Sequence, residues 1–554
     1  MSRLKTCFYT IVVLLLLAPA ARVHSQSSQL GKVDFPTSGS EKAQVHFLRG
    51  VAALHSFWFE EALDEFRKST QVQPDFMMGY WGEAMAHNHP LWSEQDTDAA
   101  RKVLEKIKDT PKLTPRERAY LNAIKTLYGA GDKLARDKAY AAAMENIYRD
   151  YPDDLEAASF YSLALQGTVR PGDKGFLRQA KAGALALEVY QKNPNHPGAA
   201  HYIIHAFDDP EHAILALPAA RRYAEIAPEA HHARHMPSHI FVQLGMWPQT
   251  AASNESSWAA SDAWVKRKGL SLTERDYHSY RWLVYAYLQQ GRYRKAEELV
   301  SAMRKFRDES GDDPGMRSSY AAMAASFVVE TERWDLAAKL LPQTETTARG
   351  TDPQAGQHAH GQTPPVTKAA NTSRPRRPAF RPLVRGLASA SGALEETDKS
   401  VGELRSIRGE FAAAGDTYGA NRTQIMELEV AALAASRKNN HDEAIEMMKR
   451  AIGFEEEMSP PSGPPELIKP SHELFGEILL RAGRPKEAAQ QFATALLRQP
   501  NRARSLLGAA RAAVQSGDAK AAAAAYSTLA RVWAQSDSQL PELHEAQAYL
   551  KQSH

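Results

Sequence analysis

The amino-acid sequence predicts an all-α protein, a solenoid of helical hairpins in two arrays joined by a low-complexity linker. The main observation is an internal repeat: one spacing of a glycine, an alanine, a phenylalanine and a proline occurs near both ends of the chain. The residues with this spacing are Gly50, Ala62, Phe66 and Pro74, and Gly476, Ala488, Phe492 and Pro500. No stretch predicts a strand. The 554 residues, of which 43% are hydrophobic, suffice for a long continuous core.

The first 25 residues predict a secretory signal peptide. Arg3 and Lys5 precede a strongly apolar run over 11–18, and small residues that suit cleavage follow it. The run is too short to span a bilayer, and no second apolar run of spanning length follows. We therefore expect an exported protein without an integral membrane segment, in the periplasm or cell envelope of a bacterium or secreted from it.

Cysteine content and charge exclude several classes of function. The only cysteine, Cys7, lies in the predicted signal, so the mature chain could form neither a disulfide nor a cysteine-ligated zinc site. Removal of the signal takes away Arg3, Lys5 and Arg22 and no acidic residue, so the formal net charge falls from +3 to zero. A neutral chain gives no electrostatic reason to expect a nucleic-acid partner or binding to a membrane surface.

The repeated spacing resembles the tetratricopeptide repeat (TPR), a pair of antiparallel helices with a period of about 34 residues. Small residues let two helices approach closely, the aromatic residue fills the space beside them, and the proline ends the second helix. Weaker copies lie in 280–303, 321–341, 428–451 and 506–529. The resemblance implies an N-terminal TPR-like array over 41–343 and a C-terminal one over 384–534.

Residues 344–383 interrupt the repeats. This stretch is rich in Thr, Pro, Gly, Gln and Arg and lacks apolar periodicity, so it predicts a disordered or flexible linker. Its His358 and His360 could bind a metal ion, but the composition favours a solvated tract. The last residues, 535–554, are predicted to form a capping segment on the second array, with docking on another molecule as the alternative.

Seven of the 20 histidines lie between 201 and 239, and their spacing is informative. His201 and His205 are four residues apart, as are His235 and His239, so each pair lies on one helical face. The second pair follows the first by one TPR period, which places the two pairs at the same position of neighbouring repeats. We therefore expect both pairs on adjacent ridges of one concave groove.

These four histidines allow two functional interpretations. Four imidazoles, His201, His205, His235 and His239, could ligate zinc, copper, nickel or iron, and the nearby Asp208 could supply a ligand or hold an imidazole tautomer. The other interpretation is a polar groove for a protein or peptide partner. A third possibility involves no function: the rings belong to the packed core, since buried histidines often bond to backbone carbonyls.

Two local features can be explained without a metal site. Asp209 followed by Pro210 is explained by an N-cap and a proline at the first helical position. Pro237 could start or kink a helix, and His235 would then lie in the preceding turn and the ridge geometry would fail.

A second histidine group lies near the N-terminus. His55 and His89 are again one TPR period apart, and His87 lies beside His89 in the segment GYWGEAMAHNHPLW. These three residues could extend the groove towards the N-terminus. A long groove favours an extended peptide over a compact active site.

No catalytic motif accompanies these groups: the sequence has no phosphate-binding loop, nucleophile elbow or HExxH pair. A triad of Ser238, His235 and Asp262 could be assembled, but a long helical chain supplies such triplets by chance. We therefore expect a binding or assembly scaffold for a protein or peptide partner rather than an enzyme. The alternative is a metal-binding protein or metal-dependent enzyme that uses the histidine groove.

The segments HYIIHAFDDPEHA, HMPSHIF and PPSGPPELIKPSHELFGEILL look like those of a group of large exported TPR-like proteins of bacteria. The resemblance covers most of the chain outside the linker. It implies a helical repeat fold and an extracytoplasmic location, and it transfers no activity and no catalytic residue.

Overall fold

A computed structural model describes residues 29–170, 173, 175–311, 313–342, 379–459 and 461–552. The predicted signal peptide, 1–25, and most of the predicted linker, including His358 and His360, lie outside the described residues. Within them, no helix is both long and apolar enough to cross a membrane.

Almost all regular secondary structure in the described chain is α-helical, which confirms the predicted fold class. The helices before the linker are α1 (Glu41–His55), α2 (Phe59–Val72), α3 (Met77–Met85), α4 (Thr97–Leu104), α5 (Pro115–Leu127), α6 (Lys133–Asp150), α7 (Leu155–Gln166), α8 (Leu177–Lys192), α9 (Pro197–Ala206), α10 (Ala213–Ile226), α11 (His231–His235), α12 (Pro237–Gln243), α13 (Trp247–Lys268), α14 (Tyr277–Gln289), α15 (Tyr293–Glu309), α16 (Pro314–Thr331) and α17 (Ala337–Leu340). The helices after it are α18 (Phe380–Ser391), α19 (Thr397–Ala413), α20 (Thr417–Arg437), α21 (His441–Glu457), α22 (Ser471–Arg481), α23 (Pro485–Arg498), α24 (Ala503–Ser516), α25 (Ala519–Val532) and α26 (Pro541–Gln552).

Short non-helical elements complete the described chain. Two-residue strands β1 (Asn88–His89) and β2 (Glu94–Gln95) pair antiparallel, although no strand was expected. Single 3-10 turns occupy Pro90–Trp92, Leu272–Glu274 and Trp334–Leu336.

Capping residues set many of the helix starts. Thr114 forms a capping box with Glu117 ahead of α5, and the Asp132 side chain accepts a hydrogen bond from the Ala135 amide at the start of α6. Successive helices then pack as hairpins, for example α1 on α2 and α23 on α24. The apolar faces of neighbouring hairpins meet in a core that extends from one repeat to the next.

The two strongest predicted repeats have the same packing at their centre. The ring of Phe66 lies between Gly50 and Gly82, and the ring of Phe492 lies between Gly476 and Gly508. A Cβ atom at Gly50 or Gly476 would come within 2.8 or 2.7 Å of the respective ring, so only glycine lets the helices approach this closely. The glycine and phenylalanine spacing in the sequence is therefore a packing requirement.

The chain before and after the linker shares one core. Helix α16 packs against α18, and apolar side chains from both sides join a single buried cluster. Helix α18 begins at Phe380, so the last residues of the predicted linker, 344–383, are helical because Phe380 and Leu383 are buried. The predicted separation into two arrays stays a prediction.

Helix α26, in the predicted segment 535–554, packs on α25 through Leu543 and Ala546.

The turn before α10 differs from the sequence-based interpretation. Asp209 was expected to be a helix N-cap followed by proline, but α10 begins only at Ala213. The Asp209 carboxylate instead accepts hydrogen bonds from the amides of Glu211 and His212 and from the His212 ring. Asp209 therefore stabilises the turn that precedes the helix.

Candidate metal centre

Three histidines from two helices form cluster one: His201 and His205 of α9, and His232 of α11. His201 Nε2 lies 3.0 Å from His205 Nε2 and 3.0 Å from His232 Nε2. The four-residue spacing on α9 places two rings on one face, and α11 brings the third from the next repeat. Cluster one therefore presents three ring nitrogens to one point.

Three further histidines form cluster two: His235 of α11, His239 of α12 and His278 of α14. His235 Nε2 lies 3.1 Å from both His239 Nε2 and His278 Nε2. Tetrahedral zinc with nitrogen ligands at 2.0–2.1 Å would hold those nitrogens about 3.3 Å apart. The 3.0–3.1 Å distances from His201 Nε2 and from His235 Nε2 to their neighbours are slightly below that value.

The proline between the two halves of HHARHMPSHIF does not disturb this geometry. Helix α11 ends at His235, Met236 keeps right-handed helical angles, and Pro237 is the first residue of α12. A proline at this position costs no hydrogen bond, because a first-turn amide has no helical partner. His235 and His239 therefore keep the ring contact expected of residues four apart.

Hydrogen bonds on the far side of the rings fix the tautomers in cluster two. His235 Nδ1 lies 2.7 Å from Asn254 Oδ1, and the Asn254 amide nitrogen donates to the Thr250 carbonyl. The oxygen of Asn254 therefore faces His235, and His235 Nδ1 donates. His239 Nδ1 donates in the same way to Asp208 Oδ2 at 2.6 Å, and Gln243 donates to the other Asp208 oxygen.

This pattern leaves two lone pairs facing each other. A neutral imidazole that donates from Nδ1 carries a lone pair on Nε2. If both rings are neutral, the lone pairs of His235 and His239 face each other across 3.1 Å, and a cation between them would remove the repulsion. In cluster one, His201 Nδ1 donates to the His55 carbonyl at 2.7 Å, so its Nε2 carries a lone pair as well.

Burial keeps several of these rings neutral. It lowers the pKa of His201 and the pKa of His235 to about 3 and holds the pKa of His232 and of His278 well below the usual value. A neutral imidazole is the form that ligates a metal ion. Water reaches the edge of each cluster, since His205 and His278 are only partly buried.

Aromatic rings pack against both clusters. Phe57 packs on His201, with 4.3 Å between ring centroids, and Trp282 packs on His239 at 4.4 Å. Phe57 has a φ of 52°, a left-handed conformation that a bulky residue rarely adopts. The Phe57 ring is therefore held against cluster one by a strained backbone, as is common at functional sites.

A third buried group, His55, Glu156 and His196, has a different character. His196 Nδ1 accepts from the Ala199 amide, so its Nε2 donates to Glu156, and His55 Nε2 donates to the other Glu156 oxygen at 2.6 Å. His55 Nδ1 accepts from the Tyr202 hydroxyl. Each ring nitrogen of His55 and His196 thus has a hydrogen-bond partner of the opposite kind, so hydrogen bonding alone accounts for this group.

The structure brings together five of the eight predicted binding residues: His201, His205, His235, His239 and Asp208. The other three lie elsewhere. His55 is buried against Glu156, His87 lies in the turn after α3, and the His89 ring stacks on Phe59 at 4.0 Å. The predicted groove extension towards the N-terminus stays a prediction, since these three side chains lie outside the two clusters.

Sequence reasoning missed His232 and His278. The HHARH segment offered a usable signal, because His232 precedes His235 by three residues, one helical turn. The alternative triad also fails: Ser238 approaches His235 at 3.4 Å, but Asp262 pairs with Lys266 and Arg275.

Comparisons with known proteins concern the fold. No protein-family model matches the sequence, and no curated protein matches it. Similar solved structures include Ypp1 (12% identity, 92% of this chain and 85% of that one, TM-score 0.44) and yeast Tom70 (10%, 93% and 89%, 0.23). The TPR domain of P58(IPK) is a third (14%, 72% and 99%, 0.22). Likeness at this level says nothing about function, and the fold class rests on the helical hairpins of the chain itself.

Proposed function

We propose that this chain is a metal-binding protein that holds two transition-metal ions, one in each histidine cluster. The observation that carries the proposal is the convergence of three histidine ring nitrogens in each cluster, all within 4.8 Å of one another. The carboxylate and amide oxygens behind the rings orient them as partners of metal-ligating histidines usually do.

The ligand set restricts the metal. Six imidazoles without a thiolate suit copper, zinc, nickel or iron and do not suit calcium or magnesium, which prefer oxygen ligands. Three protein ligands leave a fourth position open for water or another small molecule. Such a site can bind an exogenous ligand or act on it, whereas a structural site is usually closed.

A proton is the competing occupant of cluster two. If His239 were an imidazolium ion beside Asp208, its Nε2 could donate to His235 and no metal would be needed. Cluster two would then be a hydrogen-bonded core like the group of His55, Glu156 and His196. The metal content of the protein distinguishes the two arrangements.

The test is elemental analysis of the protein purified without a histidine tag. We expect about two transition-metal ions per chain, falling to about one in His201→Ala and to about one in His235→Ala. His544→Ala, on the exposed face of α26, is the matched control and should keep both ions. A folded wild-type protein that neither contains nor takes up metal would overturn the proposal.

Export is a second part of the proposal. It is supported by the basic start, apolar run and small residues of the first 25 positions, and by the likeness to exported bacterial TPR-like proteins. Mass spectrometry of the envelope fraction should find a chain whose N-terminus lies near residue 26. An unprocessed chain confined to the cytoplasm would contradict export.

A protein partner is the second candidate function. The observation that favours it is an exposed apolar group, Leu177, Ile214 and Leu215, beside the stacked rings of Phe176 and His212. Leu177→Glu combined with Ile214→Glu should release a specific partner and leave the metal content unchanged. Identical co-purifying proteins for both forms would count against this surface.

A further inference from the structure

The six histidine rings of the two clusters form one continuous group. Within a cluster, the widest separations of ring centroids are 6.5 Å, between His205 and His232, and 6.4 Å, between His239 and His278. Between the clusters, His205 lies 6.0 Å from His239, and His232 lies 6.3 Å from His235. Neighbouring rings of the two clusters are therefore about as far apart as the most distant rings within one cluster.

One short helix links the clusters rigidly. Helix α11 supplies His232 to cluster one and His235 to cluster two, three residues apart. His235 is tied through Asn254 to the backbone of α13, and His201 is tied to the His55 carbonyl. An ion in one cluster thus has a fixed position relative to an ion in the other.

The local charge limits which ions can occupy both clusters. All six ligands are neutral when they bind metal, and two carboxylates lie close by. Asp208 accepts from His239, and buried Asp276 lies 3.7 Å from the ring of His231, next to His232. Arg281 also acts on His278, and its charge is opposed by Glu466. Two monovalent ions would then be balanced by Asp208 and Asp276. Two divalent ions would leave two excess positive charges in a buried site, which is costly unless an anion joins them.

We propose, on the basis of the proposed metal sites, that the two ions are copper and that they bind dioxygen between them as a pair. Copper is the ion among those suited to imidazole that changes between a monovalent and a divalent state. Each Cu(I) gives one electron to dioxygen. Dioxygen becomes peroxide, its bond order falls from two to one, and it bridges two Cu(II) ions without uptake of a proton.

The surroundings suit a small uncharged ligand. Phe57 and Trp282 are almost fully buried and shield the rings from water, and the partly buried His205 and His278 leave an approach at the edge. The peroxide dianion offsets the two positive charges created by oxidation. The balanced charge of the Cu(I) pair is thereby kept after dioxygen binds.

The test loads the mature, untagged protein with Cu(I) without oxygen and then adds dioxygen. We expect two copper ions per chain, one dioxygen bound per two copper ions, and almost no electron paramagnetic resonance signal, because the bridged Cu(II) ions couple. His278→Ala should bind about half the copper, bind no dioxygen as a bridge, and give the full signal of an isolated Cu(II) ion after chemical oxidation. His544→Ala should behave as wild type.

The outcomes separate this inference from the proposed function. Two copper ions that each give the full Cu(II) signal would overturn the pairing and leave the metal sites intact. Failure to bind copper, while zinc or nickel binds at two ions per chain, would overturn the copper assignment alone. Failure to bind any of these metals would overturn both.

Discussion

His235 and His239 face each other with their Nε2 atoms 3.1 Å apart, while the Nδ1 atom of each donates to an oxygen behind its ring. In the buried group around Glu156, by contrast, each ring nitrogen faces an oxygen atom or a backbone amide and not a second ring. The two groups therefore differ in geometry, although both are histidine-rich and buried, and the metal content decides whether cluster two is a ligand set.

Asp208→Asn should weaken metal binding at cluster two alone. The amide keeps the size of the carboxylate but removes the charge that orients the His239 ring, and loss of such a partner usually costs about 10–100-fold in affinity. Titration against a competing chelator should give one weakened site and one unchanged site. Equal weakening of both sites, or none, would contradict the assigned role of Asp208.

Glu156→Gln should lower the free energy of unfolding without changing the metal content. The carboxylate accepts hydrogen bonds from His55 and His196 in a fully buried place, and loss of such bonds to a charged group costs about 1–3 kcal/mol at pH 7. Urea denaturation and metal analysis measure the two properties. Loss of metal from a folded Glu156→Gln protein would show that this group is more than structural.

The contribution of Glu156 to the free energy of unfolding should depend on pH. Burial raises the pKa of Glu156, but His196 and His55 outweigh that effect and hold it well below the usual range. The stabilisation is therefore complete above the unfolded pKa of about 4.3 and is lost as the pH falls through the lower pKa of the folded state. The difference in unfolding free energy between wild type and Glu156→Gln should shrink below about pH 4, and growth of that difference on acidification would be the wrong sign.

Arg502→Met should destabilise the contact between the two parts of the chain. Arg502 is almost fully buried and pairs with Glu330 of α16 at 2.7 Å and with Glu473 of α22 at 2.7 Å. Its removal leaves buried Glu330 without its cation and leaves Glu473 with Lys469 alone, and breaking a buried pair typically costs about 3–5 kcal/mol. Denaturant unfolding should show the loss, whereas Arg484→Met, on the surface, should unfold as wild type does. If Arg502→Met and Arg484→Met unfolded alike, Arg502 would not stabilise the contact between the two parts of the chain.

Two glycine substitutions should have opposite effects. In Gly82→Ala the new methyl group would overlap the Phe66 ring, and overpacking of this kind costs about 1–3 kcal/mol. In Gly409→Ala the methyl group meets nothing within 4 Å on an exposed position of α19, so the variant should gain up to about 1 kcal/mol from helix propensity. Thermal unfolding of both proteins checks the sign of each change.

The sequence predicted the repeat fold because local rules govern it. Close helix contacts require Gly50 and Gly476 beside Phe66 and Phe492, and that requirement is visible as a spacing. The boundary at Phe380 was not predictable in this way, since α18 begins where Phe380 and Leu383 reach a core supplied largely by distant helices.

The site was predictable only in part. The four-residue spacing within each pair and the TPR period between the pairs identified His201, His205, His235 and His239, because helical and repeat periods fix those positions. The spacing from His239 to His278 matches neither period, and the turn that precedes α14 sets the position of His278. His55 and His89 match the repeat period, but β1 carries His89 and Glu156 binds His55, so the period alone did not place them in the site.

Anomalous X-ray diffraction from crystals of the untagged protein, recorded at the absorption edge of the metal found by elemental analysis, tests the central claim most directly. The account predicts two anomalous peaks, one among the Nε2 atoms of His201, His205 and His232 and one among those of His235, His239 and His278. Six ordered rings in contact with one another, without an anomalous peak in protein exposed to metal, would contradict it.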